Sequence, residues 1–256
     1  MNRSRIEYLD YNWTVITGCS QPDSVCAVRG KCWARAMHKR FGKRWGLDLY
    51  NADFSPKVNI DQLMVRFPSR PARIGVGFTG DIGSVTPQLT PCSDNRLRDV
   101  LFSCMGNDAN ITGHQFFFLT KSPEQLIPWG QWPDNAWVGA SVTSDTRFAN
   151  IIFPALQKVQ AKHKWLSFEP LLEWSGLTST ELWGRLKNSN IDWVVIGALA
   201  HGQPQPKREW VKEIVEACDQ AGVKVWLKNN LQQILLDEDW AWVKHDDGYD
   251  LRQEVP

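Results

Sequence analysis

The chain of 256 residues carries 29 lysines and arginines against 28 aspartates and glutamates, and 43% of its residues are hydrophobic. Plentiful aromatic residues and a formal net charge of +1 exclude an intrinsically disordered chain, and the length is ample for a core without covalent staples. The balanced charge also argues against a protein that binds nucleic acid by charge alone, although it permits an enzyme that acts on one nucleotide in a pocket.

Short apolar runs, each ended by turn residues, predict seven strands. They lie at about 13–17, 74–78, 115–120, 136–142, 164–168, 192–197 and 223–228. Most are nearly continuously apolar, which is typical of strands buried on both faces. Helical patterns occur between them at about 91–105, 145–161 and 206–221, and Gly222 follows the last as a C-cap. This alternation predicts a parallel α/β sheet, and its length favours a full or partial (β/α) barrel of the TIM type over an open doubly wound sheet.

We expect a single domain over residues 1–256, because no linker, internal repeat or low-complexity segment interrupts the chain. Acidic residues concentrate in a C-terminal extension at about 230–256. The N-terminus lacks the apolar segment of a signal peptide, and no run of 18 apolar residues could cross a membrane. We therefore expect a cytoplasmic protein, in which clustered cysteines are more often metal ligands or redox groups than disulfides.

Three of the six cysteines, Cys19, Cys26 and Cys32, follow the first predicted strand at the spacing C-x6-C-x5-C. Structural zinc prefers four ligands in C-x2–4-C pairs, and this spacing lacks such a pair. Three thiolates can instead hold an iron–sulfur cluster and leave one iron open to a substrate or cofactor. We therefore expect an iron–sulfur cluster, with zinc or unligated cysteines as the alternatives. The remaining cysteines are expected to be small core residues on helices: Cys92, Cys104 and Cys218.

The segment Tyr11–Met37 resembles the opening of the phage Gp37/Gp68 family, which reads T-W-N-P-x-x-G-C, a short loop and then C-x-x-C-Y-A. The chain departs from this pattern in two places, since its second gap is C-x5-C and Trp33 stands where the family has tyrosine. Further matches follow in order, at 78–81, 118–124, 138–142, 166–172, 192–197 and Lys228. The ordered set is specific and spans about residues 11–229, although each piece alone is weak.

That family is similar to radical SAM enzymes, including spore photoproduct lyase. The resemblance implies a TIM-type barrel, a [4Fe–4S] cluster on Cys19, Cys26 and Cys32 in a loop at 18–33, and S-adenosylmethionine on the fourth iron. An external donor would supply the electron that cleaves this cofactor to a 5′-deoxyadenosyl radical. The usual radical SAM spacing, C-x3-C-x2-C, is shorter than both gaps here, and Trp33 would shield the cluster.

Polar residues directly follow most of the predicted strands, at the barrel end where active sites lie. Thr79, Gly80 and Asp81 occupy the place of a Gly-Gly-Glu-like stretch in radical SAM proteins. Backbone carbonyls there could accept from the cofactor's ammonium, and Gly80 permits close approach. Asp81 could pair with that ammonium or with the substrate, or it could cap the next helix.

Lys121 and Glu169 are the other candidate catalytic residues. Lys121 could meet a carboxylate of the cofactor or the substrate, or it could be a solvated charge at a helix start. Glu169 is held extended by Pro170 and would be costly to bury without a partner. Either a role in a pocket or a structural ion pair would account for Glu169. Lys228, at the end of the last predicted strand, is a weaker candidate.

Ser141 and Thr143 end the fourth predicted strand, where their hydroxyls suit a cofactor's ribose or carboxylate. They could instead cap the following helix, a role that Ser144 or Asp145 could equally take. Residues 29–44 contain eight basic residues and no acidic one. This stretch could hold phosphates, including those of DNA, or it could be a solvated helix face.

The resemblance, taken with these features, implies a radical SAM enzyme of the isomerase or lyase type. A nucleobase-linked group in phage DNA is the expected substrate, modified in the host cytoplasm. The first alternative is a zinc-stabilised nucleic-acid-binding module without catalysis. The second is a barrel hydrolase that uses Asp81 and Glu169 as a carboxylate pair.

Overall fold

The computed structural model describes residues 1–41, 51–90, 96–107, 113–199, 204–246 and 248–256. Cys92 and the last three positions of the basic stretch, 42–44, lie outside these ranges. The strands are β1 (Asn2–Arg3), β2 (Tyr11–Trp13), β3 (Ile16–Thr17), β4 (Lys57–Val58), β5 (Arg73–Val76), β6 (Gln115–Thr120), β7 (Ala136–Ser141), β8 (His163–Phe168), β9 (Ile191–Ile196), β10 (Lys224–Leu227), β11 (Trp242–His245) and β12 (Gly248–Leu251).

The α-helices in the described ranges differ in length and regularity. They are α1 (Trp33–Phe41), α2 (Leu97–Asn107), α3 (Asp145–Arg147), α4 (Phe153–Lys158), α5 (Ser179–Asn188) and α6 (Arg208–Ala221). A π-helical turn, Phe148–Ile152, joins α3 to α4, so the helix predicted at 145–161 is irregular and ends earlier. None of the described helices is long and apolar enough to cross a membrane.

Eight strands form one sheet in the order β1-β2-β5-β6-β7-β8-β9-β10. Strands β2, β5 and β6 pair in parallel, as do β8, β9 and β10, whereas β1 is antiparallel to β2. Smaller two-stranded sheets join β3 to β4 and β11 to β12. The predicted α/β class with a mostly parallel sheet is confirmed, and closure into a barrel stays a prediction.

The first predicted strand, 13–17, is divided into β2 and β3. The division follows from Asn59, whose side-chain amide donates to the Thr14 carbonyl at 3.0 Å while its backbone N–H donates to the Val15 carbonyl at 2.8 Å. These bonds leave β2 in the large sheet and direct β3 towards β4. A run of apolar residues could not reveal this change of partner, because both strands are apolar.

The chain divides into two compact units, which are described separately. One comprises 1–138 with 159–162, and the other comprises 139–158 with 163–256. In the first unit, β2, β5, β6 and α2 enclose a core rich in large side chains. Its fully buried members include Trp13, Ile74, Leu97, Leu101, Phe116 and Phe118.

The second unit packs α5 and α6 over β8, β9 and β10. Helix α6 buries Val211, Ile214, Val215 and Cys218, whose spacing puts them on one face. Gly222 ends the helix with φ of 71°, which confirms the predicted C-cap. Cys218 is fully buried, and burial raises its pKa far above the ordinary value, as expected of a small core residue.

The predicted acidic extension belongs to the body of the second unit. Arg252 forms ion pairs with Asp219 at 2.7 Å and with Glu254 at 3.1 Å. The Trp193 indole donates to the Glu254 carbonyl at 2.8 Å, which fastens the end of the chain to β9. The acidic C-terminal segment is therefore packed against the second unit and partly neutralised.

Candidate functional site

The predicted site residues fall into two groups, one in each unit. Parallel strands bring their carboxyl ends to one edge of a sheet, where polar residues that directly follow the strands can meet. The first group, in the unit that contains β5 and β6, contains Cys19, Cys26, Cys32, Trp33, Thr79, Gly80, Asp81 and Lys121. The second, beside β7, β8 and β10, contains Ser141, Thr143, Glu169 and Lys228.

In the first unit, two glycines bring neighbouring backbones into contact. Gly18 and Gly80 pair as an isolated parallel bridge. A Cβ atom on Gly80 would lie 2.6 Å from the Gly18 carbonyl oxygen, and one on Gly18 would lie 2.1 Å from the Ser55 carbonyl oxygen. The close contact with the Gly18 backbone is enough to explain why position 80 requires a glycine. Close approach of a cofactor at Gly80 stays a prediction.

Asp81 is almost fully buried, at 5% exposure, and its carboxylate is held by the protein. It accepts hydrogen bonds from the Thr120 hydroxyl at 2.5 Å, the Gly83 N–H at 2.8 Å and the Lys121 N–H at 3.1 Å. Burial raises the pKa of Asp81, although these bonds and the nearby Lys121 charge act to lower it. Asp81 thus caps the short helical turn Ile82–Ser84, which is the capping role given above as the alternative to ligand binding. Its bonds to Thr120 and Lys121 also tie that turn to the end of β6.

Cys19 lies beside this carboxylate at the start of the cysteine loop. Its sulfur accepts from the Gln21 N–H at 3.4 Å and contacts the Ser84 hydroxyl at 3.7 Å. Burial raises the pKa of Cys19, and the charges of Asp81 and Cys26 raise it further.

The donors of the cysteine loop fit the chemistry of an iron–sulfur cluster, because Cys19, Cys26 and Cys32 are all free thiols. Across the described ranges, however, no three His, Cys, Asp or Glu side chains form a group that could hold a metal ion. Ligation by all three thiols therefore requires the loop to rearrange. Trp33, the first residue of α1, is 51% exposed, so its shielding of a cluster stays a prediction.

A buried polar atom next to Gly80 also fits a bound ligand. The Thr79 hydroxyl oxygen is buried and has no hydrogen-bond partner among the described residues, while its carbonyl accepts from the Gly18 N–H at 3.3 Å. Buried hydroxyls in native proteins almost always have a partner, and unpaired ones call for an unseen group. Thr79 is thus the best-supported of the predicted cofactor contacts.

In the second unit, Glu169 is paired with Lys228. The Lys228 ammonium lies 2.6 Å from the Glu169 carboxylate, whose second oxygen accepts from the Ser167 hydroxyl at 3.1 Å. Both charged side chains are largely buried, at 17% and 20% exposure. Gly197 makes room for them, because a Cβ there would lie 2.9 Å from the Lys228 Cδ. Glu169 therefore forms a structural ion pair, which was one of the two roles expected from the sequence. Contact between Glu169 and a ligand stays a prediction.

Ser141 and Thr143 are buried and do not cap the helix that follows them. Ser144 is the cap, since its hydroxyl accepts from the Arg147 N–H at 3.4 Å. The Asp145 carboxylate instead accepts from the Ser175 and Gly176 backbones. The capping interpretation of Ser141 and Thr143 is wrong, and their role in a pocket stays a prediction.

Sequence reasoning overlooked Asn230, which binds the carboxyl end of β9. Its side chain accepts from the Ala198 N–H at 3.1 Å and donates to the Ala198 carbonyl at 2.8 Å. The adjacent Asn229 instead accepts from the Gln253 amide at 3.0 Å. No sequence signal separates these neighbouring asparagines, because only the path of β10 decides which one faces β9.

The Glu169–Lys228 pair gives a testable difference in stability. We expect Lys228→Met to lower the free energy of unfolding by about 2 kcal/mol, because Glu169 loses the cation that lies 2.6 Å from its largely buried carboxylate. The control Lys162→Met removes an ion pair with Asp134 that is exposed on both sides, and should cost less than about 0.5 kcal/mol. Urea denaturation at pH 7 measures both, and equal effects would contradict a buried role for the first pair.

Comparison with known proteins gives one family. The family described as proteins of unknown function, DUF5131, matches residues 3–239. No curated protein and no solved structure matches the chain. The matched range contains both groups of site residues and ends before β11.

Proposed function

The chain belongs to the DUF5131 family, and from its own residues we propose that it is a radical SAM enzyme with a full or partial TIM-type barrel. The observation that carries the proposal is the free Cys19 thiol, held 3.7 Å from the Ser84 hydroxyl, at the start of a loop on which Cys26 is also a free thiol. Thiolates are the ligands of iron–sulfur clusters, and a third thiol, Cys32, lies on the same loop. The resemblance to the phage Gp37/Gp68 family supports the same chemistry.

In this proposal the loop at 18–33 binds a [4Fe–4S] cluster through its three cysteines. When bound, the cluster and S-adenosylmethionine supply a 5′-deoxyadenosyl radical once an external donor has provided an electron. The protein fixes the first half of the loop through Gln21, whose side chain accepts from the Ser122 hydroxyl at 2.7 Å, and through the Ser84 hydroxyl, which accepts from the Ser20 N–H at 3.1 Å. These contacts hold Cys19 against the edge of the sheet.

The remaining candidates divide between support and ligand contact. Asp81 is a positioning residue, since its carboxylate holds the backbone at Lys121 and Gly83. The Thr79 hydroxyl, which has no hydrogen-bond partner among the described residues, is proposed to bind S-adenosylmethionine, while cofactor contacts of the buried Ser141 and Thr143 hydroxyls in the second unit stay predictions. The proposed substrate is a nucleobase-linked group in DNA that is rearranged or cleaved, and Lys121 and Glu169 stay catalytic candidates, each within its own unit.

Anaerobic reconstitution with iron and sulfide tests the proposal. We expect a brown protein with about four irons per chain, and reduction with dithionite in the presence of S-adenosylmethionine should release 5′-deoxyadenosine and methionine. Liquid chromatography with mass spectrometry detects both products. A folded, reconstituted chain that forms neither product would refute the radical SAM proposal.

Two other functions predict different outcomes of the same experiment. A zinc-stabilised module would bind colourless zinc, retain no iron and cleave no cofactor. A hydrolase that uses Asp81 and Glu169 would keep its activity without metal. The hydrogen bonds at Asp81 disfavour the hydrolase, because a carboxylate that accepts three protein donors is poorly available to activate water.

A further inference from the structure

An open cavity of about 430 Å³ lies against the cysteine loop and α1. Its wall contains Cys26 and three basic side chains, Arg29, Arg35 and Lys39. Its volume falls in the range of small-molecule binding sites. Gly30 also lines the cavity, and among the described residues other than its chain neighbours no atom lies within 4 Å of the position of a Cβ there, so one side is open for a ligand to enter.

The positive charge of this cavity is only partly neutralised. Among the described residues that line the cavity, Asp23 is the one acidic side chain, and it pairs with Arg29 at 3.3 Å. The Asp23 side chain is 87% exposed, so solvent screens this pair strongly. Arg35 lies over the Phe54 ring at 5.2 Å, a contact that orients the guanidinium without neutralising it.

Lys39 adds a charge that has no acidic partner within the described ranges. It follows Arg35 by one helical turn on α1, so both side chains project from one face towards the cavity they line. Like charges at this spacing repel each other, and a bound anion would relieve the repulsion. Arg29 approaches from the separate turn Arg29–Lys31, which gives the wall two independent sources of donors.

We propose that this cavity binds the phosphate group of a nucleotide, through Arg35 and Lys39 with Arg29 at its rim. Arginine presents paired donors that match phosphate oxygens, and lysine adds a compact charge. The inference rests on the proposed function for its link to catalysis, since Cys26 would then hold the cluster beside the bound phosphate. In this proposal the described basic residues of the stretch 29–44 that line the cavity bind a ligand, and they are not merely a solvated helix face.

Calorimetric titration of the full chain as purified tests the proposal with three probes: thymidine, thymidine 5′-monophosphate and a single-stranded oligothymidine of about ten nucleotides. We expect the monophosphate to bind at least about tenfold more tightly than thymidine. The variant Arg35→Gln/Lys39→Gln should weaken phosphate binding by about tenfold or more. The matched control Lys187→Gln/Lys212→Gln removes two charges from α5 and α6 and should stay within about twofold.

The probes also separate the two sources of phosphate. Equal affinities of the monophosphate and the oligomer would indicate a free nucleotide, whereas tighter binding of the oligomer with strong salt dependence would indicate a polynucleotide. Phosphate probes that bind no better than thymidine, or a folded double variant with unchanged affinity, would overturn the proposal. The exposed single variant Lys39→Gln serves if the double variant fails to fold, and its binding should fall about threefold.

Failure here and failure of the radical SAM proposal are distinguishable. Cleavage of S-adenosylmethionine can be measured without a nucleotide, and nucleotide binding can be measured without a cluster. A chain that forms 5′-deoxyadenosine but does not bind phosphate would refute only the cavity proposal. A chain that binds the monophosphate through Lys39 but takes up no iron would refute only the radical SAM proposal.

Discussion

Substitution of Cys19, Cys26 or Cys32 by alanine should abolish 5′-deoxyadenosine formation, with a loss of at least about 100-fold. Three thiolates hold the cluster in the proposal, and a cluster that lacks one protein ligand is not retained in a form that can bind S-adenosylmethionine. The measurements are iron and sulfide content, the visible absorption of the reconstituted protein and the rate of product formation.

Cys104→Ala is the matched control for these three variants. Cys104 lies on α2, where its sulfur contacts the Leu63 carbonyl at 3.5 Å, away from the cysteine loop in sequence. Iron content and product formation should stay within about twofold of the unchanged protein. If Cys104→Ala loses as much iron as Cys19→Ala, or if all three loop variants keep their iron, the ligand assignment is wrong.

The largest expected effect on stability comes from Gly18→Ala, which should lower the free energy of unfolding by about 3 kcal/mol. Gly18 has φ of 73°, a conformation that disfavours side chains, and its Cβ would lie 2.1 Å from the Ser55 carbonyl oxygen. That oxygen belongs to the backbone, so no side-chain rotation can relieve the overlap. Urea denaturation followed by circular dichroism gives the change.

Gly184→Ala is the matched control for backbone substitution. Gly184 lies within α5, and apart from its own helix no atom of the described residues lies within 4 Å of the position of its Cβ. Alanine favours a helix over glycine by up to about 1 kcal/mol, so this variant should be equally or more stable. A Gly18→Ala protein as stable as the unchanged one would show that Ser55 does not pack against Gly18 as described.

Several features of the fold could be predicted from the sequence because they depend on local patterns. Continuous apolar runs indicated the buried strands of the large sheet, and Gly222 indicated the end of α6. Short elements such as α5 escaped prediction, although the pair Thr178 and Glu181 forms a capping box that could have identified its start.

The candidate residues could be named from the sequence, but their partners could not. Apolar strands that end in polar residues predicted that Asp81, Glu169 and Lys228 lie at the carboxyl edges of the strands. The sequence contained no information that Thr120 donates to Asp81, 39 positions away, or that Lys228 pairs with Glu169. Such contacts depend on strand register, and a shift of one residue turns a side chain to the opposite face.

The sequence by itself thus determined the α/β class, the mostly apolar strands and the cysteine loop, because periodicity and spacing are properties of neighbouring residues. The tertiary structure alone decided that Asp81 and Glu169 are held by protein partners, that Thr79 keeps an unpaired buried hydroxyl, and that basic side chains of α1 face a cavity. These outcomes depend on which distant backbones meet, since the low polarity of the interior makes each buried charge or hydroxyl depend on the partner that folding supplies.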